Sequence, residues 1–556
     1  MEIYRPTHAG TLSSADQLYD IPKFGNVSLL HFTDCHAQLL PIYYREPSLN
    51  LGVGSAEGQV PHLVGAPLLD AYGIKARSRQ AYAFSHLDFC ALARAYGKVG
   101  GFAHLASLVK RLRTSRPSAL LLDGGDSWQG SATALWSAGQ DMVDASLALG
   151  VDVMTGHWEF TYGAERVLQV VRNDFKGKIA FVAQNIVREE DKAESVFDPY
   201  VIREQGGILV AIIGQAFPYT PWANGAHFTP GWEFGIDEGR LQSMVTEVRK
   251  KGAQVVVLLS HNGMDIDLKL ASRISGIDMI LGGHTHDGVP VPGVVKNSGG
   301  VTIVTNAGSH GKFLGVVDFD VRHGRVVDYR YHLLPVFSEL LPEDPAMQAT
   351  IDRVRAPFES RLREPIAESH ELLYRRGNFN GSWDQLIVDA LMQVKDAEIA
   401  FSPGFRWGTT LLPGQMITRE NLMEQTAITY PNTSLAQMTG IEIKQHLENL
   451  CDKIFNDDPY QHQGGDMVRT GGLVYTCEPG AKINDRISDM TLDGQPIGAS
   501  KSYKVARWGV GSAQSGEEPV WDVVEQYLKS GQVAETRTPN VPRLIGVGSN
   551  PGSPSN

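Results

Sequence analysis

Short apolar runs recur through the first half of the chain, at residues 27–32 (VSLLHF), 118–125 (SALLLDGG), 207–214 (GILVAIIG), 254–261 (QVVVLLSH) and 277–284 (IDMILGGH). Their length and their Gly, Asp and Ser boundaries predict strands. Between them lie stretches with a helical period. In residues 100–115 (GGFAHLASLVKRLRTS), Phe102, Leu105, Leu108, Val109 and Leu112 recur at that spacing. Strands alternating with helices predict an α/β architecture. Residues 41–97 interrupt the pattern with a segment rich in Tyr, Ser, Gly and Pro. It has no clear period and predicts an irregular insertion near a strand end, where it could shape a substrate entrance.

Residues 316–336 (VVDFDVRHGRVVDYRYHLLPV) read as a strand pair closing a first domain over 1–340. The charged stretch 341–365 predicts a linker helix. A second domain is expected over 366–545, with SWDQLIVDALMQV at 382–394 as a helix, and 546–556 (GVGSNPGSPSN) has the composition of a disordered tail. No internal repeat is visible.

Composition narrows the classes. A chain of 556 residues, 42% hydrophobic and 20% charged, is globular and too long for one ordinary core. The net charge of −12 and the lack of a basic stripe argue against nucleic acid. No apolar run approaches the roughly 20 residues that span a bilayer. The first residues lack the regions of a signal peptide, so a cytoplasmic protein or a mature exported form is expected. Cys35, Cys90, Cys451 and Cys477 are too few for a disulfide scaffold of this size.

Candidate chemistry gathers just past the strands. Asp34 and His36 follow the first run, Asp126 the second, His261 the fourth, and His284 with His286 the fifth. In open α/β sheets such ends face a common crevice. One aspartate after a strand is usually a cap or turn former. Asp-x-His, Gly-Gly-Asp, Gly-His-Trp-Glu (156–159), Ser-His-Asn and Gly-His-x-His in series call for more. A metal pair is the simplest way to stabilise so many carboxylates and imidazoles together.

This order resembles the calcineurin-like metallophosphoesterases, and within them the 5'-nucleotidase branch. Residues 380–392 (NGSWDQLIVDALM), 401–425 (FSPGFRWGTTLLPGQMITRENLMEQ), 430–440 (YPNTSLAQMTG) and 467–476 (MVRTGGLVYT) are similar to that branch's substrate-binding domain. The resemblance implies a layered sandwich, with helices flanking two β-sheets, and a second α+β domain of the 5'-nucleotidase C-terminal type. It implies one metal on Asp34, His36, Asp126 and His286 and another on Asp126, His261 and His284, with Asp126 bridging. The family's remaining ligand is an asparagine. His157 stands in its place, and Asn185 is an alternative polar ligand. Trp158 replaces the histidine that in nucleotidases stabilises phosphoryl charge or helps an alkoxide leave. An indole donates one hydrogen bond but no proton. Arg406 is retained between Phe405 and Trp407, its planar fork suited to a tetrahedral oxyanion. Arg406, His157 and Trp158 are thus the catalytic candidates, and Arg406 with Trp407 the substrate-binding ones, packing being the alternative for Trp407.

The variant GHWEFTYG, with HFTDCHAQLLPIYYREP (31–47) and QGGDMVRTGG (463–472), is similar to the SoxB family, the thiosulfohydrolases of bacterial sulfur oxidation. That likeness implies two Mn2+ ions, zinc or iron also suiting such ligands, and a periplasmic location; a monomer is expected. The implied reaction is attack of a metal-activated water on the terminal sulfonate sulfur of a cysteine S-thiosulfonate on the carrier SoxYZ, releasing sulfate. Cys35 reads as a packed strand-end thiol. The alternatives are a 5'-nucleotidase or other phosphomonoesterase, a cyclic phosphodiesterase, and a nonenzymatic metal- or oxyanion-binding protein.

Overall fold

The structure, a computed structural model, describes residues 18–509, 517–531 and 538–550. Twelve strands form the main body: β1 (Val27–Phe32), β2 (Leu120–Asp123), β3 (Val153–Met154), β4 (Ala180–Phe181), β5 (Tyr200–Gln205), β6 (Ile208–Gln215), β7 (Val255–Ser260), β8 (Met279–Gly282), β9 (Gly293–Asn297), β10 (Gly300–Asn306), β11 (Phe313–Arg322) and β12 (Arg325–Pro335). They make two six-stranded sheets, in the orders β12-β11-β1-β2-β3-β4 and β9-β10-β8-β7-β6-β5. Strands β1 to β4 are parallel, as are β6, β7, β8 and β10. Antiparallel β11 joins β1 with Val27 opposite Phe319.

Side chains alternate across each strand and so divide between two cores. Val27, Leu29 and Leu122 meet Val257, Leu259 and Leu281 between the sheets. Leu30, Phe32 and Leu121 instead pack under Phe102, Leu105 and Leu108 of the helix Phe102–Ser115. On the far sheet, Val256, Leu258 and Ile280 lie against Leu241 and Val245 of the helix Glu238–Lys250 and Leu270 of the helix Met264–Arg273. The result is helix, sheet, sheet, helix. Because both faces of the central strands are covered, they read as unbroken apolar runs.

Residues 41–97 are less irregular than expected. They contain three helices, Gly65–Tyr72, Arg79–Phe84 and Phe89–Tyr96, none longer than eight residues. Helices so short show no usable period. Tyr82, Phe84 and Phe89 from this segment join the core beside Phe102. The segment 341–365 carries the helices Pro345–Arg355, capped by the Asp344 side chain, and Glu359–Leu362.

Residues beyond 370 build most of two further cores, which Trp158 and Leu51 join from the first domain. A four-stranded sheet orders Thr433–Thr439, Ser502–Trp508, Ile399–Ser402 and Arg469–Gly471. Ala400 and Ala506 on one face pack under the buried helix Ser382–Val394 and the helix Val520–Lys529. Phe401 and Val505 on the other meet Ile443 and Leu447 of the helix Gly440–Ile454. Val547, within the expected tail, is buried in this second core, and residues 551–556 of that tail lie outside the described residues. All four cysteines are free thiols. Among the described residues no helix is long and apolar enough to cross a membrane.

A buried ionic chain crosses this second domain toward the first. Asp384 holds Arg375 at 2.9 Å and Arg469 at 3.3 Å; Arg469 reaches Asp466 at 3.1 Å, and Asp466 lies 3.6 Å from Arg406. Removing one partner of a buried pair strands the other charge. Asp384→Asn is therefore expected to cost about 3–5 kcal/mol of stability, measured by denaturant unfolding of the second domain's tryptophan signal; a loss well under 1 kcal/mol would contradict the role given to this chain.

Candidate metal centre

Parallel strands place their carboxyl ends together, and the candidate residues follow those ends. Asp34 and His36 come after β1, Asp126 after β2, His157 after β3, His261 directly after β7, and His284 with His286 after β8. The turns that aim them are strained. Asp34, His36, Asp126, His284 and His286 all have left-handed backbone, with φ between 47° and 72°. Such residues are uncommon and persist only where their surroundings over-determine them. Here the turns bind one another: Asp34 N donates to Gly125 O at 2.8 Å, His36 N to Asp126 O at 2.9 Å, and His284 N to both Asp34 carboxylate oxygens at 3.0 Å. At Gly283 a Cβ would stand 2.5 Å from Thr33 Oγ1 and 2.9 Å from Asp34 Oδ2, so the close approach requires glycine.

Two groups of donors result. Asp34, His36, Asp126 and His286 form one; Asp126, His157, His261 and His284 form the other; within each, the donor atoms lie within 4.8 Å of one another. Asp126 belongs to both. Its Oδ2 is 3.4 Å from His36 Nε2 and 3.5 Å from His261 Nε2, while Asp34 Oδ1 is 3.3 Å from His286 Nε2 and 3.5 Å from His261 Nε2. His261 Nδ1 donates to the Gly124 carbonyl at 2.6 Å, so Nε2 is the nitrogen turned toward the carboxylates.

The electrostatics fit a cation. Burial holds His157, His284 and His286 well below the ordinary imidazole range, helped by neighbouring imidazoles or arginines, so they are neutral and able to ligate. Burial works the same way on His261, but the carboxylates of Asp34 and Asp126 outweigh it and push it up to about 9. His261 Nε2 is buried without a hydrogen bond between those two carboxylates. Imidazoles and carboxylates converging in a buried site, with His261 able to ligate through Nε2 once a cation displaces its proton, are the donor set for two divalent metal ions.

Glu159 holds this arrangement from behind. One carboxylate oxygen accepts from His157 N at 2.7 Å and Asp126 N at 3.2 Å; the other accepts from Ser127 N at 2.7 Å and Trp128 N at 3.3 Å. Trp158 N in turn donates to Asp126 Oδ1 at 3.2 Å.

The structure brings His157 into the second group. The Asn185 amide is spent on backbone, donating to Ala216 O and Gly235 O and accepting from Ala216 N. Cys35 stays outside both groups; burial and the nearby Asp123 and Asp34 push its thiol well up, so it is inert. Trp158, Arg406 and Trp407 line a cavity of about 270 Å3 between the domains, which reaches His36, Asp126, His157, His284 and His286. Trp158 stands edge-on to Trp407 at 5.2 Å and to Phe405 at 5.5 Å. Trp407 stacks on Phe405 at 4.0 Å. Arg406 is partly buried, donating to Gly465 O at 2.8 Å and His284 O at 3.4 Å.

Sequence reasoning missed two residues here. His310 packs 5.4 Å from His36 and 4.3 Å from Tyr44, ring to ring, and it follows the apolar strand β10, so the strand-end signal applies to it too. Arg376 donates to Thr285 O at 3.0 Å from the other domain, and nothing in YRRGNF separates it from a surface arginine.

Comparison with known proteins agrees with this fold. A family model, 5'-nucleotidase, C-terminal domain, matches residues 371–523. The structure of the sulfate thiohydrolase SoxB from Thermus thermophilus is 36% identical, with a TM-score of 0.89 over 95% of this chain and 98% of that one. A 5'-nucleotidase precursor, also from Thermus thermophilus, has the same fold, with a TM-score of 0.73 and 22% identity over 94% of this chain and 99% of that one. The 5'-nucleotidase of Bos taurus is 24% identical over 456 residues, 73% of this chain and 76% of that protein.

A Glu159→Gln substitution tests the clamp, because its amide NH2 would face two backbone N–H donors that now share one oxygen. Metal affinity is expected to fall about 10- to 100-fold, measured by competition with a chelator. Unchanged affinity would mean that Glu159 does not position Asp126 and His157.

Proposed function

We propose that this chain, a metal-dependent hydrolase that belongs to the SoxB family in the 5'-nucleotidase branch of the calcineurin-like metallophosphoesterases, releases sulfate from a cysteine S-thiosulfonate on the carrier SoxYZ. The observation that carries the reading is the wall of the cavity. Beside the donor groups stands Trp158, packed against Phe405 and Trp407. An indole cannot protonate a departing group. A nucleoside alkoxide needs a proton as it leaves. A cysteine persulfide is a far weaker base and departs without one.

The chain's own residues have defined tasks in this reading. Asp34, His36, Asp126 and His286 would hold one metal ion, and Asp126, His157, His261 and His284 the other. The pair, when bound, supplies Lewis acidity and activates water at neutral pH. The donor set of carboxylate and imidazole without thiolate suits manganese. Arg406, fixed by two carbonyls, presents its remaining N–H groups to the sulfonate oxygens. Phe405, Trp407 and Trp158 exclude water around the leaving sulfur. The periplasmic assignment belongs to the same reading.

The test is sulfate release from a peptide bearing a cysteine S-thiosulfonate, beside phosphate release from AMP, each with manganese and with chelator. Metal-dependent sulfate without phosphate is expected. Phosphate without sulfate would favour the nucleotidase activity named for the curated relatives. Trp158→His should leave thiosulfonate turnover within a few-fold of the wild type; a gain of ten-fold or more would show that a proton donor had been needed.

A further inference from the structure

We infer that residues 456–466, a loop of the second domain, position a metal ligand of the first by fixing the tautomer of His284. This rests on the dimetal reading above. The loop leaves the helix Gly440–Ile454 and is strapped across the first domain. Asp458 pairs with Lys269 at 2.5 Å, and that Lys269 ammonium lies 3.8 Å over the Tyr460 ring. The Tyr460 hydroxyl donates to Glu238 at 2.9 Å, its carbonyl accepts from the Tyr219 hydroxyl, and His462 Nδ1 stands 3.6 Å from Asp265. The loop then delivers the Gln463 carbonyl to His284 Nε2 at 3.0 Å and the Gly465 carbonyl to Arg406.

A carbonyl only accepts, so the His284 proton must sit on Nε2. That leaves Nδ1 as the lone pair offered to the group with Asp126, His157 and His261. Phe217 stacks on the same ring at 4.1 Å, which limits its rotation. The equivalent support for His261 comes from Gly124, within the first domain. One ligand of the second metal group is therefore set across the domain boundary, whereas Asp34 and Asp126 are held by first-domain turns. Gly464 makes the approach feasible: its φ is +61°, and a Cβ there would lie 2.3 Å from His284 Nε2.

The test combines histidine nitrogen NMR of the metal-free protein with manganese titration of the full chain. The wild type is expected to show His284 as the Nε2–H tautomer and to bind two ions. Gly464→Ala should lose that tautomer and bind one ion as before and the other about 10- to 100-fold more weakly. His462→Ala, which loosens the strap without intruding on His284, should weaken the same ion several-fold and serves if Gly464→Ala does not fold. An Nδ1–H tautomer in the wild type, or variants that bind both ions as the wild type does, would overturn the inference. A wild type with the expected tautomer that takes up no metal would instead overturn the dimetal reading.

Discussion

The carboxylate of Asp126 lies in both donor groups, and the surrounding structure is arranged to keep it there. Its residue has left-handed backbone, its amide is held by Glu159, and its second oxygen accepts from Trp158 N. Each constraint costs something: strain in the turn, and burial of Glu159, whose carboxyl is pushed up by burial and by Asp126 itself. They persist because three parallel strands end beside one another and leave their turns nowhere else to hydrogen-bond. A carboxylate shared by two donor groups has to face both at once, and so tolerates less movement than a residue that belongs to one.

The division of labour between the domains follows from charge. The first domain supplies carboxylates and imidazoles, while two arginines that reach their loop, the buried Arg376 and the partly buried Arg406, come from the second. Both arginines donate to carbonyls of the loop that carries His284 and His286. They are themselves neutralised by acidic neighbours, Asp466 for both and Glu46 for Arg376. The cavity thus has carboxylates and imidazoles on one side and Arg406 with Arg507 on the other, an arrangement suited to an anion with several oxygens.

Much of this was legible in the amino-acid order, for a physical reason. Strands covered on both faces must be apolar throughout, so a polar residue directly after such a run, as at Asp34, Asp126, His261 and His284, stands out. The same logic extended to β10 would have reached His310. The helices within 41–97 were hidden by their length, and Arg376 by the fact that burial does not mark an arginine in sequence. Between His157 and Asn185 the residue types alone could not choose. In the fold every polar atom of Asn185 has a backbone partner, while His157 Nδ1 has none. Loop 456–466 was equally opaque, since its role lies in carbonyls rather than side chains.

The segment Gly-His-Trp-Glu separates tasks that a single motif might be thought to share. Gly156 allows close packing, a Cβ there meeting Phe181 at 2.8 Å. Glu159 ties together the amides of residues 126, 127, 128 and 157. Residue 158 contributes its backbone N–H to Asp126 whatever its side chain, and that side chain lines the cavity beside His157. Exchanging it therefore leaves the backbone clamp on Asp126 intact and alters what surrounds the leaving group. A histidine at that point suits a leaving group that must be protonated; a tryptophan, with Phe405 and Trp407 behind it, gives a dry and polarisable wall suited to sulfur. The fold can in this way retain its metal-binding machinery while the basicity of the leaving group decides which side chain belongs at position 158.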